Sequence, residues 1–291
     1  MAELRLLTVH AHGDDETITM GGSLAVLGDR GVKTSVVCCT DGKLATIVDP
    51  DMPEETTRPR LAEIRQDELR DACRILGVTE VNFLEYGDSG MAGESTNRLP
   101  DAFWMASVDE AVGKVVAHIR RFKPHVVVTY DENGGYGHPD HVQTHRVTLL
   151  AVEAAQSAAL YPEAGAPWQV PKFYYTVFSR SGFQKMIDAA KQLGVEPPFG
   201  VEEAENLPFL SPDDRVTTRV PCVEGVVRKR DALRAHKSQI GPDWPMLNVP
   251  DDVALELFAY EEYALIISRV RSDLPEADLF AGVEVEEPAA V

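Results

Sequence analysis

Residues 4–16 read Leu4-Arg5-Leu6-Leu7-Thr8-Val9-His10-Ala11-His12-Gly13-Asp14-Asp15-Glu16, a compact β-type run from Leu4 to Val9 that empties into a polar loop. A helical stretch follows up to Arg30, and Gly31 reads as its C-cap, where a residue without Cβ can take positive φ. Val32 to Cys38 is a second apolar, β-branched strand, and Asp41 to Pro59 is loop-like, rich in Pro, Asp and Thr. Leu61, Ile64, Leu69, Ala72, Ile75 and Leu76 then recur at helical spacing until Gly77. Val81 to Tyr86 is a further strand, and Val108, Val112, Val115, Val116, Ile119 and Phe122 mark an amphipathic helix. Pro124 ends that helix before the clearest strand, His125 to Tyr130. Strand and helix in alternation imply parallel strands with helices on both faces. In such sheets ligands bind beyond the carboxyl ends of the strands. The polar clusters His12–Glu16, Thr40–Gly42, Asp88–Gly90 and Asp131–His141 all follow strands, so they belong to one rim.

After residue 165 the pattern loosens. Lys172 to Phe178 reads as a strand, Ser181 to Leu193 as a helix and Gly194 to Asp214 as a long Pro- and acid-rich connection. Val216–Val220, Val223–Ile240 and Asp251–Ile267 suggest strand, helix, helix and a final strand. The expected organisation is a core over 1–165, an extension over 166–283 that completes the substrate pocket, and an acidic tail over 284–291.

Composition narrows the function classes. With 291 residues, 44% of them apolar and 26% charged, the chain can bury a large core. Its 28 basic and 47 acidic residues leave a net charge of −19, which repels phosphate backbones and anionic membranes and excludes nucleic acid as the expected partner. The start, Met-Ala-Glu-Leu-Arg, carries both charge signs and does not read as a signal peptide, and no stretch is apolar for long enough to span a bilayer. Cys38, Cys39, Cys73 and Cys222 lack metal or disulfide spacing; reduced, buried thiols in a cytoplasmic protein are expected.

Two clusters carry chemistry. In the first, His12 and Asp15 stand three residues apart on a loop leaving a strand, and neutral imidazole with carboxylate suits zinc or ferrous iron. Asp14 would then face the open coordination position as a proton acceptor. The same residues also suit a plain helix start, with Asp14 and Asp15 at the positive end of the dipole. In the second, Gly134-Gly135-Tyr136-Gly137-His138-Pro139-Asp140-His141, glycines allow close backbone approach and Pro139 begins a helix. A facial set of His12, Asp15 and His141 leaves room for water, the layout of a catalytic metal site. His145 competes with it, being at i, i+4 from His141. His10, His118, His125 and His236 read as structural. Neither a Gly-x-Gly-x-x-Gly after the first strand nor a Gly-x-Ser-x-Gly elbow occurs.

The His-x-Asp-Asp-Glu loop, with His-Pro-Asp-His after a later strand, resembles the LmbE-like (PIG-L-type) metal-dependent deacetylases, over nearly the whole chain. Tyr130-Asp131-Glu132-Asn133-Gly134-Gly135-Tyr136 is similar to the mycothiol-pathway members. Asp88-Ser89-Gly90-Met91-Ala92-Gly93 and Gly137-His138 look more like the N-acetylglucosaminyl-inositol deacetylase. Ala232-Leu233-Arg234-Ala235-His236 and Asp278-Leu279-Phe280-Ala281-Gly282 look more like the mycothiol S-conjugate amidase.

The resemblance implies that His12, Asp15 and His141 bind one Zn2+ per chain, with Fe2+ as an alternative, and that Asp14 is the general base. It implies that His138 polarises the carbonyl or protonates the leaving amine, with Asp140 as its orienting partner, and that Tyr136 helps stabilise the oxyanion. Arg65, Asp88 and Met91 match substrate-binding positions. Gly13 departs from the family's usual proline; glycine frees φ between the ligands His12 and Asp15. The expected fold is α/β, a Rossmann-like, mostly parallel sheet with helices on both faces plus a smaller C-terminal α/β extension. The expected function is cleavage of the amide of an N-acyl glucosamine-type substrate. Alternatives are an amidase for cysteinyl-glucosamine thiol conjugates and a sugar- or metal-binding homologue without catalysis. The expected partner is a small amino-sugar or thiol-conjugate molecule, and assembly into a homo-oligomer stays open.

Overall fold

The computed structural model of the protein describes residues 3–194, 201, 203–207, 209–244 and 247–284. The acidic tail expected beyond Glu284 and part of the 194–214 connection therefore lie outside the described residues. The strands are β1 (Arg5–His10), β2 (Lys33–Thr40), β3 (Glu80–Tyr86), β4 (Val126–Tyr130), β5 (Lys172–Thr176), β6 (Thr218–Pro221) and β7 (Tyr260–Ser268). The helices are α1 (Asp15–Asp29), the short α2 (Glu54–Thr57), α3 (Leu61–Leu76), α4 (Val108–Phe122), the single turn α5 (Gly134–Gly137), α6 (Pro139–Ala154), α7 (Arg180–Leu193), α8 (Val226–Ala235) and α9 (Asp251–Leu257).

One seven-stranded sheet runs in the order β3-β2-β1-β4-β5-β7-β6. From β3 to β5 all pairings are parallel, as the alternating pattern requires, and β7 runs antiparallel to both β5 and β6. Pleating sends alternate side chains of β1 to opposite faces. Leu7 and Val9 pack in the cluster that holds Val112 and Val116 of α4 with Val147 and Ala151 of α6. Leu6 packs in the cluster that holds Leu24 of α1 with Leu69 and Leu76 of α3. Helices thus cover both faces, and Val126–Tyr130, buried at every position, reads as the unbroken apolar run of a central parallel strand. The chain winds outward from β1 through β2 to β3, then returns to place β4 on the other side of β1. The loops after β1 and β4 part at that reversal and leave a crevice between them.

The C-terminal part continues the same sheet, since β5 pairs with β4. One expectation needs correction there. The helix expected over Val223–Ile240 spans only Val226–Ala235, because His236 leaves helical geometry at ψ 55° and turns fully inward. Asp251–Ile267 holds the expected helix and final strand, α9 and β7, and β7 inserts between β5 and β6. A second tie reaches α1, whose backbone breaks at Met20 (φ −147°) ahead of Gly21 and Gly22. The groups freed by the break are taken by the C-terminal part. Lys229 Nζ donates to Ile18 O at 2.9 Å, and Glu261 accepts from Gly22 N at 2.8 Å and Ser23 N at 2.7 Å. Lys229 and Glu261 pair with each other at 2.7 Å. These bonds satisfy Ile18 O and the amides of Gly22 and Ser23 across the break, and they tie the C-terminal part to the helix whose first residue is Asp15. All four cysteines are free and buried. Among the described residues no helix is long and apolar enough to cross a membrane.

Candidate functional site

The loops after β1, β2, β3 and β4 meet at the crevice. Asp41 Oδ1, after β2, accepts from Asp88 N at 3.0 Å, and Ser89, after β3, bonds Asp140 through its backbone N at 2.9 Å and through its hydroxyl. At the centre three donor atoms form a small triangle. His12 Nδ1 lies 3.1 Å from His141 Nε2 and 3.5 Å from Asp15 Oδ2, and His141 Nε2 lies 3.4 Å from the same Asp15 oxygen. A tetrahedral ion with ligands at 2.0–2.1 Å has donor–donor edges of about 3.3 Å. The triangle fits such an ion, and its donors are the imidazoles and carboxylate that zinc and iron take.

Each corner is held by groups behind it. Asp15 Oδ2 accepts from Tyr130 OH at 2.7 Å and from His12 N at 3.0 Å. The Tyr130 ring also stacks on His141, with centroids 4.3 Å apart, and His141 Nδ1 donates to Gly134 O at 3.1 Å. Gly134 has φ 61°, and a Cβ there would meet His141 Cβ at 2.5 Å, so only glycine lets the loop close on the ring. On its far side His12 Nε2 lies 3.4 Å from Asp140 Oδ2 and 3.9 Å from Asp88 Oδ1. His12, Asp88, His138 and Asp140 lie close enough to hold an ion, as do His12, His138 and His141; the cluster can hold a metal ion.

The electrostatics ask for a cation. Against the cost of burial, Asp140, Asp15 and Asp88 raise His12 to about 10. Despite burial, His141 and His12 hold the Asp15 carboxyl well below its usual range. Burial lowers His141 to about 3. Asp14 behaves oppositely to its neighbour. Burial raises it to about 6 although Arg65 Nη2 stands 3.4 Å from its Oδ1.

Asp14, Arg65, Asp88, Met91, Tyr136 and His138 line one cavity with the triangle, about 1610 Å³ in volume. Arg65 is buried, with Nη1 on Gly42 O at 3.0 Å and Nη2 on Gly13 O at 3.2 Å, so it ties two of the loops together as well as facing Asp14. Met91 and Tyr136 are the exposed members, and the Tyr136 ring stands 5.1 Å from that of His141.

Asp140 is not placed as the orienting partner of His138. Its carboxylate lies 4.0 Å from His138 Nδ1, while Ser89 holds it toward His12. His138 is oriented instead as the N-cap of α6, its Nδ1 accepting the backbone N–H of Asp140 at 3.1 Å. Burial and the charge of His12 push His138 below its usual value, so its ring is neutral near pH 7, with Nε2–H as the donor. Gly13 also differs from expectation, since the positive φ falls on Asp14, at 154°. A Cβ on residue 13 would lie 3.1 Å from Leu69 Cβ, so close approach to α3 is what glycine serves here. His145 stands one turn deeper, with its Nδ1 on Tyr130 O at 3.1 Å and its ring against Tyr175. Sequence reasoning gave no role to Tyr130 or Ser89. A tyrosine ending an apolar strand reads as core, and only the Asp-Ser-Gly loop position hinted at Ser89.

The profile of the family described as "PIG-L: GlcNAc-PI de-N-acetylase" matches residues 7–152, the span that contributes the whole triangle. The 1D-myo-inositol 2-acetamido-2-deoxy-alpha-D-glucopyranoside deacetylase of Geodermatophilus obscurus is 42% identical over 287 residues, covering 96% of this chain and 98% of that protein. The mycothiol S-conjugate amidase of Streptomyces coelicolor is 38% identical over 287 residues, covering 97% and 98%. Among solved structures, the N,N'-diacetylchitobiose deacetylase from Pyrococcus horikoshii has a TM-score of 0.58 at 21% identity, over 90% of this chain and 83% of that one, which is a likeness of fold. A sheet reversed between β1 and β4, a His-Asp-His triangle at the reversal and relatives aligned end to end agree: the chain belongs to the PIG-L family.

Proposed function

We propose that the protein hydrolyses the amide of an N-acyl glucosamine-type substrate, releasing a free amine and a carboxylate, with one divalent metal ion held by His12, Asp15 and His141. Zinc is the favoured ion and ferrous iron the alternative. The observation that carries the reading is the donor triangle with a second carboxylate, Asp14, beside it at a raised pKa. When bound, such an ion supplies Lewis-acid activation of water and of the amide carbonyl. Asp14 takes the proton of the attacking water. A donor aimed at the developing oxyanion contributes about 3 kcal/mol, and His138 Nε2–H and the Tyr136 hydroxyl are the donors of this cavity. The neutral His138 ring suits carbonyl polarisation, with protonation of the departing amine as its other role. Arg65, Asp88 and Met91 hold the sugar, and Asp140 orients His12 from behind, as a carboxylate commonly does for a metal-bound imidazole. Residues 1–165 supply the chemistry and 166–283 complete the pocket. The free thiols suit a reducing, cytoplasmic setting.

A second reading is an amidase acting on cysteinyl-glucosamine thiol conjugates, and the cavity favours it. About 1610 Å³ exceeds the roughly 300–1,000 Å³ of most small-molecule pockets. Beyond the triangle the cavity continues along apolar Phe183, Met186, Trp244 and Leu257, which a bulky conjugate can occupy. A pure binding protein needs neither Asp14 nor His138. The test is metal analysis with amine release from a panel of N-acetylglucosamine derivatives and glucosamine thiol conjugates. Amine from the acetyl compounds supports deacetylation, amine from the conjugates alone supports the amidase, and a metal-loaded protein that releases neither rejects both.

A further inference from the structure

Glu16 and His236 are both fully buried, 220 positions apart, and His236 Nε2 meets Glu16 Oε1 at 3.0 Å. The Thr17 hydroxyl donates to the same oxygen. A buried pair of this kind gains little stability over well-packed apolar residues, because both groups lose their water. What it does locally is specific. The other oxygen, Glu16 Oε2, accepts the backbone N–H of Asp14 at 3.0 Å. Asp14 is the N-cap of α1, so that N–H has no partner within the helix. Its backbone, at φ 154° and ψ −29°, is a strained conformation for a residue with a Cβ. The bond from Glu16 therefore sets where the Asp14 side chain leaves the loop. The neighbouring ligand Asp15 does not depend on it, being held by Tyr130 OH and His12 N. His236 Nδ1 has no hydrogen-bond partner among the described residues, so the ring acts on Glu16 through Nε2.

We propose that His236 and Glu16 form a buried positioning pair through which α8, from the far end of the chain, fixes the Asp14 carboxylate against the metal-ligand triangle. The proposal rests on the reading of Asp14 as the base.

The test compares His236→Ala with His236→Gln, whose amide can still donate from near the Nε2 position. With an amino-sugar amide that the wild type cleaves, His236→Ala is expected to lower kcat about tenfold or more, the scale of one lost hydrogen bond to a charged group. KM and metal content are expected to stay at the wild-type level, with His236→Gln restoring most of the rate. Hydrogen exchange at the Asp14 amide is expected to accelerate in the alanine variant and not in the glutamine variant. An unchanged kcat, loss of metal together with rate, or a glutamine variant as slow as the alanine one would overturn the pair. Should the alanine variant not fold, His236→Asn replaces it, because its shorter amide cannot reach Glu16. Equal rates for Asn and Gln would then overturn the proposal. If the wild type cleaves no substrate, the function reading fails by itself. The exchange measurement still decides the pair, and equal Asp14 protection in wild type and alanine variant overturns it.

Discussion

Asp14 and Asp15 are adjacent carboxylates that one loop points into opposite environments. Asp15 faces two imidazoles, which against burial hold its carboxyl well below the usual range, while burial raises Asp14 to about 6. On the proposed reading the two take different roles, Asp15 as ligand and Asp14 as base, as neighbouring carboxylates pushed apart in pKa do in catalytic sites. Asp14→Asn is therefore expected to keep its metal and lose about 10²–10⁴ in turnover, the range for a missing general base. Elemental analysis beside amine release checks it, and an active variant or a metal-free one reverses the division of labour. By the same geometry His141→Ala is expected to strip the metal and His145→Ala to leave it bound, since His145 is committed to Tyr130 O and Tyr175. Elemental analysis in the opposite order would transfer the ligand role. The triangle was legible because ligand chemistry demands His and Asp at fixed spacings after strands. The partner of Asp140 was not, because Ser89, on a loop 51 positions away, decides which way that carboxylate turns.

At the scale of elements, β1, β2 and β4 are readable because parallel strands buried on two faces carry near-continuous apolar or β-branched runs, here Leu6–Val9, Val36–Cys39 and Val126–Thr129. Asp251–Ile267 is readable as helix then strand for a different reason: β-favouring Tyr263, Ile266 and Ile267 stand in its second half, which pairs with β5 and β6. Helix ends can also depend on distant groups. The buried guanidinium of Arg120, from α4, donates to Ala154 O, Ala155 O, Ser157 O and Leu160 O, capping the end of α6 and the loop beyond it. Ala154 O, Ala155 O and Ser157 O also accept the backbone N–H of Ser157, Trp168 and Leu160, and the guanidinium reaches Tyr161 O and Gly165 O besides. Arg120→Met keeps the packed stem and removes the donors, so stability is expected to fall by about 3 kcal/mol or more. Urea unfolding measures it. A loss below about 0.5 kcal/mol would mean that water and those backbone donors satisfy the carbonyls as well as the guanidinium does.

The whole molecule is a sheet stitched from both ends of the chain, under a net charge of −19, and one histidine joins three of its strands at the edge opposite the site. His125 donates its backbone N–H to Arg5 O at 2.8 Å, accepts from Lys172 N at 3.1 Å through its carbonyl, and takes the Arg5 amide on its ring Nδ1 at 3.1 Å. An imidazolium cannot accept at Nδ1, so protonation breaks the bond between β1 and the start of β4. Burial, and then the charge of Arg5, lower His125 from 6.5 to about 4. Below pH 6.5 the unfolded chain takes up a proton at this ring that the folded protein refuses. The contribution is whole above 6.5 and is lost as pH falls toward 4. The loss amounts to about 3 kcal/mol at one unit per 1.36 kcal/mol. Carboxylates across the acidic surface titrate in the same window, so the wild-type curve alone cannot isolate the ring. His125→Asn keeps an acceptor near Nδ1 and removes the titration. Unfolding free energies of the two proteins, measured in urea from pH 8 to pH 4, are expected to differ by a constant above pH 6.5 and then to converge or cross as the wild type loses stability faster. Parallel curves down to pH 4 would mean that His125 is protonated in the fold at its ordinary pKa, and that Arg5 N finds another acceptor.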